Sequence, residues 1–536
     1  MLISLDAFRR FNISSNYEML VVDGKPDSVS KSIDVPKANQ HAQAMAGSHT
    51  NLFLEGNFAP MHEELTLTKA QDFEIRGKIP RDLNGSFYRN GPNPQFEPGP
   101  FYHWFLGDGM LHAFHLQRGE VSYLNRYVST PTFEIERRAK RTLFLGQRTN
   151  LLANMQLVGG HVFSLLAGLL KDKNADAYTR LIAKANTSVL AFREELFALV
   201  ESSPPVRVQA TTLESEGFEN FDAGFIGPFT AHPKIDPHTG YLYAFGYRVA
   251  GSPRLEYYVI NPHGKLVSRT PLETDYAAMV HDFVITRNFA VLPVFPAVAS
   301  LASIRKGRIA EWQPEKGASI IVLAKDGSPG SVRRFQLPVG YAYHYANAYE
   351  DGQQIVIDAI RYERVPLMGS DDEIRAELFA QSNNGYLTRY RIDLVTGKTE
   401  VQPLHTERYA EFPVIDGRVA GNKYEHAFAA SASGLNPSQA GIFDSQVSYE
   451  LARGKVRAEY FDFPAGHFGG EPVFVPTGKP GERKGYLLNL IYDSTAERSY
   501  LAIFDAAKPE RKPVCEIWLG HRVPYGFHGT WRQQRT

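Results

Sequence analysis

The stretch HPKIDPHTGYLYAFGYR, residues 232–248, opens on a histidine, crosses an Asp-Pro-His-Thr-Gly cluster and resumes in an aromatic run. A turn cluster between two β-prone runs predicts a hairpin. The same pattern recurs in YYVINPHGKLVSRTPL (257–272), SIIVLAKDGSPGSVRRFQL (319–337), LTRYRIDLVTGKTEVQPL (387–404) and YLAIFDAAKPERKPVCEIWL (500–519). Its spacing is irregular, so hairpins recur here without a strict sequence repeat. Antiparallel hairpins in such number have to hide their edges, and a sandwich, a barrel or a propeller would each do so.

Composition agrees with an all-β class. The 34 Phe and 27 Tyr favour strands, and the 44 Gly and 33 Pro supply turns. A formal net charge of +0 implies no broad attraction to nucleic acid or anionic membrane. The single cysteine, Cys515, excludes an intrachain disulfide and any CxxC metal site, and it fits a reducing compartment such as the cytoplasm. A metal would therefore rely on histidine and carboxylate.

The N-terminal MLISLDAFRRFNISSN is interrupted by Asp6, Arg9 and Arg10 before a signal core forms, and residues 1–56 read as a variable arm. From residue 57 to 536 the expectation is a single domain. The run Thr149–Leu170 is apolar enough to suggest a membrane span, but Asn150, Asn154, Gln156 and His161 dilute it. With its surroundings, about 149–192, it predicts a helical insert interrupted at Gly159 and Gly160. Two readings stay open for that insert: a cap burying its apolar face on the protein, or a patch making peripheral membrane contact.

Familiar catalytic motifs fail. DLVTGKTE would need a glycine at 392 to be a phosphate loop, and Ile392 stands there; no GxSxG, HExxH or helix-opening GxGxxG is present. Of the 17 histidines, four lie in segments rich in small, aromatic and β-branched residues: His232, His281, His344 and His528. Any one alone is better explained as a hydrogen-bonded core imidazole. Together they are different, because each flanks a predicted strand end and a closed radial β-structure brings strand ends to one axis. Four neutral imidazoles leave a metal's charge uncompensated and, in octahedral geometry, leave positions open, which suits iron(II) with dioxygen better than zinc. A metal-bound imidazole needs an acceptor for its other nitrogen, so glutamates are expected nearby.

GSFYRNGPNPQFEPGPFYHWFLGDGMLHAFHL (85–116), TAHPKIDPHTG, MVHDFVITRNFAVLP, HYANAYED, GGEPVFVP and RVPYGFHGTW together resemble the carotenoid cleavage oxygenases, in order from Asn57 to Trp531. That family also holds stilbene-cleaving dioxygenases and the animal retinoid isomerohydrolase. The resemblance implies a seven-bladed β-propeller with a helical cap over one face. It also implies one Fe(2+) per chain on the axis, held by His232, His281, His344 and His528, with Glu201, Glu411 and Glu471 orienting three of the four.

The implied reaction is cleavage of a conjugated C=C bond by O2, with a hydrophobic polyene as co-reactant and aldehydes or ketones as products. Val200, Phe283, Tyr102 and Trp104 are the candidate substrate-tunnel positions. His103, His112 and His115 lie in a blade the family does not use for metal. The stilbene-cleaving branch commonly carries a lysine, which binds a phenol oxygen, just before the glutamate matching Glu201; here Val200 stands there. That apolar neighbour and the long insert rank a carotenoid or apocarotenoid above a stilbene. The isomerohydrolase branch carries lipid-attachment cysteines that Cys515 alone does not match, and a propeller used only for protein binding is the alternative from another class.

Overall fold

In a computed structural model the chain is described over residues 51–99, 102–143, 183–201, 203–222, 227–247, 253–298, 308–369, 371–380, 383–433, 442–452 and 455–534. Among these residues, seven sheets of four to six strands form the blades of a β-propeller, with one further two-stranded ribbon. Blade 2 runs from Ser188–Phe192 to Ser215–Phe218, blade 3 from Lys234–Ile235 to Leu266–Glu273, and blade 4 from Val284–Ile285 to Arg333–Leu337. Blade 5 spans Tyr345–Asp351 to Thr399–His405, blade 6 Ala410–Val414 to Arg457–Asp462, and blade 7 His467–Phe468 to Cys515–Trp518 with Glu74–Gly77 added at its edge.

Blade 1 closes the ring. Its strands Gly85–Pro92, Gly109–Gln117 and Glu120–Tyr127 are joined by the C-terminal strand Gly529–Gln533, which pairs antiparallel with Gly85–Pro92 so that Arg89 faces Gly529. Hub strands touch between blades 1 and 2, 4 and 5, 5 and 6, and 7 and 1. All five hairpins expected from the sequence form, each with its turn where Gly or Asp allowed it; Gly397, for example, takes φ +75°.

Blades pack face to face, and the core lies between them. Leu242–Tyr247 is buried along its whole length because both its faces meet other blades, whereas the outer strand Leu266–Glu273 largely alternates. Each fully buried Leu, Ile, Val or Phe contributes about 1.5–3 kcal/mol, so the interblade seams carry most of the stability.

Two boundaries differ from the sequence expectation. The compact unit begins at Thr50, so Asn51–Gly56, counted with the arm, belongs to the body: Phe53 is buried against Phe58, His103 and Trp104. Ser188–Phe192, placed at the end of the helical insert, is instead the first strand of blade 2. Its β-branched and aromatic SVLAF pairs with Glu195–Leu199 across a turn in which Arg193 takes φ +60°. Residues 149–182 of the insert lie outside the described residues, among them Leu165, Leu166 and Leu169, on which membrane contact would rest. Among the described residues no helix is long and apolar enough to cross a membrane.

Candidate metal centre

Each of the four singled-out histidines stands just before the first strand of its blade or, for His528, before the closing strand. His232 precedes Lys234–Ile235, His281 precedes Val284–Ile285, His344 precedes Tyr345–Asp351, and His528 precedes Gly529–Gln533. Strand starts converge at the hub, so residues 296 positions apart in sequence point at one spot. His232 Nε2 lies 3.0 Å from His281 Nε2, which lies 3.1 Å from His344 Nε2, which in turn lies 3.1 Å from His528 Nε2. All four nitrogens fall within 4.8 Å of one another.

Three of these rings are fixed from behind. His281 Nδ1 donates to Glu201, His344 Nδ1 donates to Glu411 Oε2 at 2.5 Å, and His528 Nδ1 donates to Glu471 Oε1 at 2.8 Å. Among the described residues His232 has no carboxylate partner. Glu201 follows the second strand of blade 2, Glu411 lies in the first strand of blade 6, and Glu471 precedes Val473–Pro476 of blade 7. Glu411 is aimed by a bulge: register slips between Glu411 and Val414, and Phe412 takes φ +54°, which costs a bulky residue about 1–3 kcal/mol. The Phe412 ring then packs on His344 and His528.

A ring whose Nδ1–H is committed to a carboxylate presents a bare lone pair at Nε2. Lone pairs 3.0–3.1 Å apart repel, and a single proton would relieve only one contact in the chain of four. A cation relieves all of them. Two nitrogens at right angles, each about 2.1 Å from a shared ion, are about 3.0 Å apart, whereas tetrahedral angles would set them about 3.4 Å apart. The observed spacing fits right angles.

Burial holds His232 and His528 well below the usual histidine range, and their imidazole neighbours push the same way. Burial also opposes charge on His281, but the Glu201 carboxylate outweighs it and the net shift is upward. Glu201 and Glu411 are lowered: burial, the largest influence, would raise them, but their histidines outweigh it. Burial pushes Glu471 up to about 7 against the pull of the Gly529 N–H and the Arg89 guanidinium.

A cavity of about 260 Å3 opens onto His281, His344 and His528, with Val200, Trp104, Phe105, Tyr343, Phe412 and Phe527 in its wall. Two expected tunnel positions, Val200 and Trp104, line it; two do not. Phe283 is wholly buried between blades, edge-on to Phe245, and Tyr102 packs beneath the N-terminal segment, where its carbonyl accepts from Asn51. An apolar wall and an apolar core read alike in sequence. His103, His112 and His115 are structural: His103 Nε2 donates to Leu367 O, His112 pairs with Tyr123 and His115 with Ser86. The sequence reading missed Phe105, Tyr343, Phe412 and Phe527. The available signal was adjacency, since Tyr343, Phe412 and Phe527 each neighbour a hub histidine or its glutamate.

Residues 58–533 match the family described as Retinal pigment epithelial membrane protein. The carotenoid 9,10(9',10')-cleavage dioxygenase 1 of Pisum sativum is 30% identical over 540 residues, covering 96% of this chain and 96% of its own. The chain belongs to the carotenoid cleavage oxygenase family. Another member, the isoeugenol monooxygenase of Pseudomonas putida, is 32% identical over 484 residues, covering 86% of this chain and 95% of its own. The crystal structure of the Pseudomonas brassicacearum lignostilbene dioxygenase superposes with a TM-score of 0.78 at 29% identity, covering 94% of this chain and 100% of that one. The family's named activities thus span polyenes and small aryl alkenes.

Proposed function

We propose that this chain is a ferrous-iron-dependent dioxygenase that cleaves a conjugated C=C bond of a carotenoid or apocarotenoid into two carbonyl fragments. The observation that carries this reading is the junction of four converging Nε2 lone pairs with an apolar cavity. His232, His281, His344 and His528 would hold a divalent ion with neutral ligands alone, and a charge left uncompensated in this way suits Fe(II). When bound, that ion supplies the activation of dioxygen.

The protein's own residues do the positioning. Glu201, Glu411 and Glu471 hold the Nδ1 protons and so keep three Nε2 lone pairs directed inward. The aromatic wall excludes water and fixes which double bond reaches the hub, so regioselectivity is set by geometry. The substrate class rests on Val200: it lines the cavity beside Glu201, and among the described lining residues there is no lysine or arginine to meet a phenol oxygen. A second reading, a compact aryl alkene, is favoured by the modest cavity of about 260 Å3 and by the names of the two Pseudomonas relatives.

Aerobic incubation of the iron-loaded protein with β-carotene, an apocarotenal, a xanthophyll, resveratrol and isoeugenol, read by product mass, tests both. Aldehydes from the polyenes are the expected result. Cleavage of the phenolic alkenes alone replaces the first reading with the second, and no cleavage of any alkene leaves the propeller a binding scaffold.

A further inference from the structure

The stretch YRNGPNP, residues 88–94, contains a buried cation, Arg89, that is neither one of the four hub histidines nor a direct partner of one. Arg89 is 5% exposed, and among the described residues no carboxylate lies within ion-pair distance of it. Its Nη2 donates to Gly526 O at 2.9 Å. A Cβ placed on Gly470 would fall 2.3 Å from Nη2, and one on Gly526 would fall 3.1 Å from Nε. The guanidinium is therefore seated between two glycines, one residue before Glu471 and two residues before His528.

The segment it grips is the one that delivers His528. Asn90 N donates to His528 O and Phe527 N donates to Asn90 O, both at 2.9 Å. Asn57 holds the same segment from the other side, its Nδ2 donating to Val523 O and its carbonyl accepting from Tyr525 N. Arg89 Nη1 and Asn57 Oδ1, neither with a partner among the described residues, both belong to residues lining a cavity of about 10 Å3, room for one water. Burial pulls the guanidinium down to about 10, still charged at neutral pH, while Glu471 pulls the other way.

We infer that Arg89 is a positioning residue for the His528–Glu471 pair: it ties the Val523–His528 segment through Gly526 O and seats against Gly470, the residue before Glu471. A carboxylate buried at the hub is costly unless donors and opposite charge surround it. Glu471 has two donors, His528 Nδ1 and the Gly529 N–H at 2.7 Å, and Arg89 and His344 both favour its charged form. The planar fork suits this seat, with one arm on a carbonyl and its Nη edge against Gly470, better than an ammonium would.

The inference rests on the hub being a metal site, and titration with Co2+ alone separates the two. Metal-stripped wild type, Arg89→Met, Arg89→Lys and Gly470→Ala are titrated anaerobically while the visible cobalt bands and the melting of the metal-free protein are recorded. Arg89→Met is expected to bind Co2+ about 10–100-fold more weakly with shifted bands, and Arg89→Lys to recover only part of the loss. Gly470→Ala keeps the charge but displaces the guanidinium, and it is expected to weaken binding in the same direction. A folded Arg89→Met protein with wild-type affinity and bands overturns the inference. Should that variant fail to fold, wild-type affinity and bands in Gly470→Ala overturn it alone. Wild-type protein that takes up no Co2+ overturns the hub reading and this inference with it.

Discussion

At the scale of single residues, the hub is set by which nitrogen of each imidazole is already committed. Glu411 receives the His344 Nδ1 proton and the Tyr362 hydroxyl, so Glu411→Gln retains an acceptor but loses the charge that makes Nε2 a better donor to a cation. That variant is expected to release iron to a chelator at about 10–100-fold lower chelator concentration than wild type, and equal retention would remove Glu411 from the site. Val200 tests the substrate instead. Val200→Lys places an ammonium in the cavity wall, and in a mixed apocarotenal and resveratrol incubation the product ratio is expected to move toward resveratrol; an unmoved ratio denies position 200 a role in choosing substrate. All four histidines and three glutamates that meet at the hub were legible in the sequence, because each lies beside a strand end in a recognisable motif. Phe283 and Tyr102 were not placed correctly, since nothing in an apolar residue's identity tells cavity wall from interblade core. Arg89 was passed over because glycine and proline dominate its neighbourhood and read as turns.

At the scale of elements, the hairpins were readable because their turns are local, and the ring closure was not. Gly529–Gln533 pairs with Gly85–Pro92 across more than 400 residues, with no connecting turn to announce it. The strand Ser188–Phe192 escaped notice because Leu- and Ala-rich sequence before it reads as continuous helix up to the turn at Arg193. Within blade 5, Asp358 accepts both forks of Arg389, at 2.7 and 2.8 Å, and the Tyr424 hydroxyl at 2.7 Å. All three are buried. Asp358→Ala leaves that guanidinium buried and uncompensated and is expected to cost about 3–5 kcal/mol, read from the urea midpoint. Replacing the pair together, Asp358→Leu with Arg389→Met, is expected to cost less than the single change. A single-variant loss below about 1 kcal/mol would show the pair to behave like an exposed one.

At the scale of the whole molecule, the propeller turns sequence distance into proximity, because each blade contributes the start of one strand to a common axis. A cation bound there touches blades 1, 3, 4 and 5 and binds the folded ring only. Free Fe2+ at about 100 times its dissociation constant is therefore expected to stabilise the protein by about 2.7 kcal/mol, seen as a raised melting temperature under anaerobic conditions. His281→Ala should lose that increment while its metal-free melting stays close to that of metal-free wild type. The most direct measurement is iron bound per chain after anaerobic loading and desalting, wild type and His281→Ala in parallel. One iron in each wild-type chain and none in the folded variant is the predicted result; a folded wild-type chain without iron, or a variant that retains as much, contradicts it.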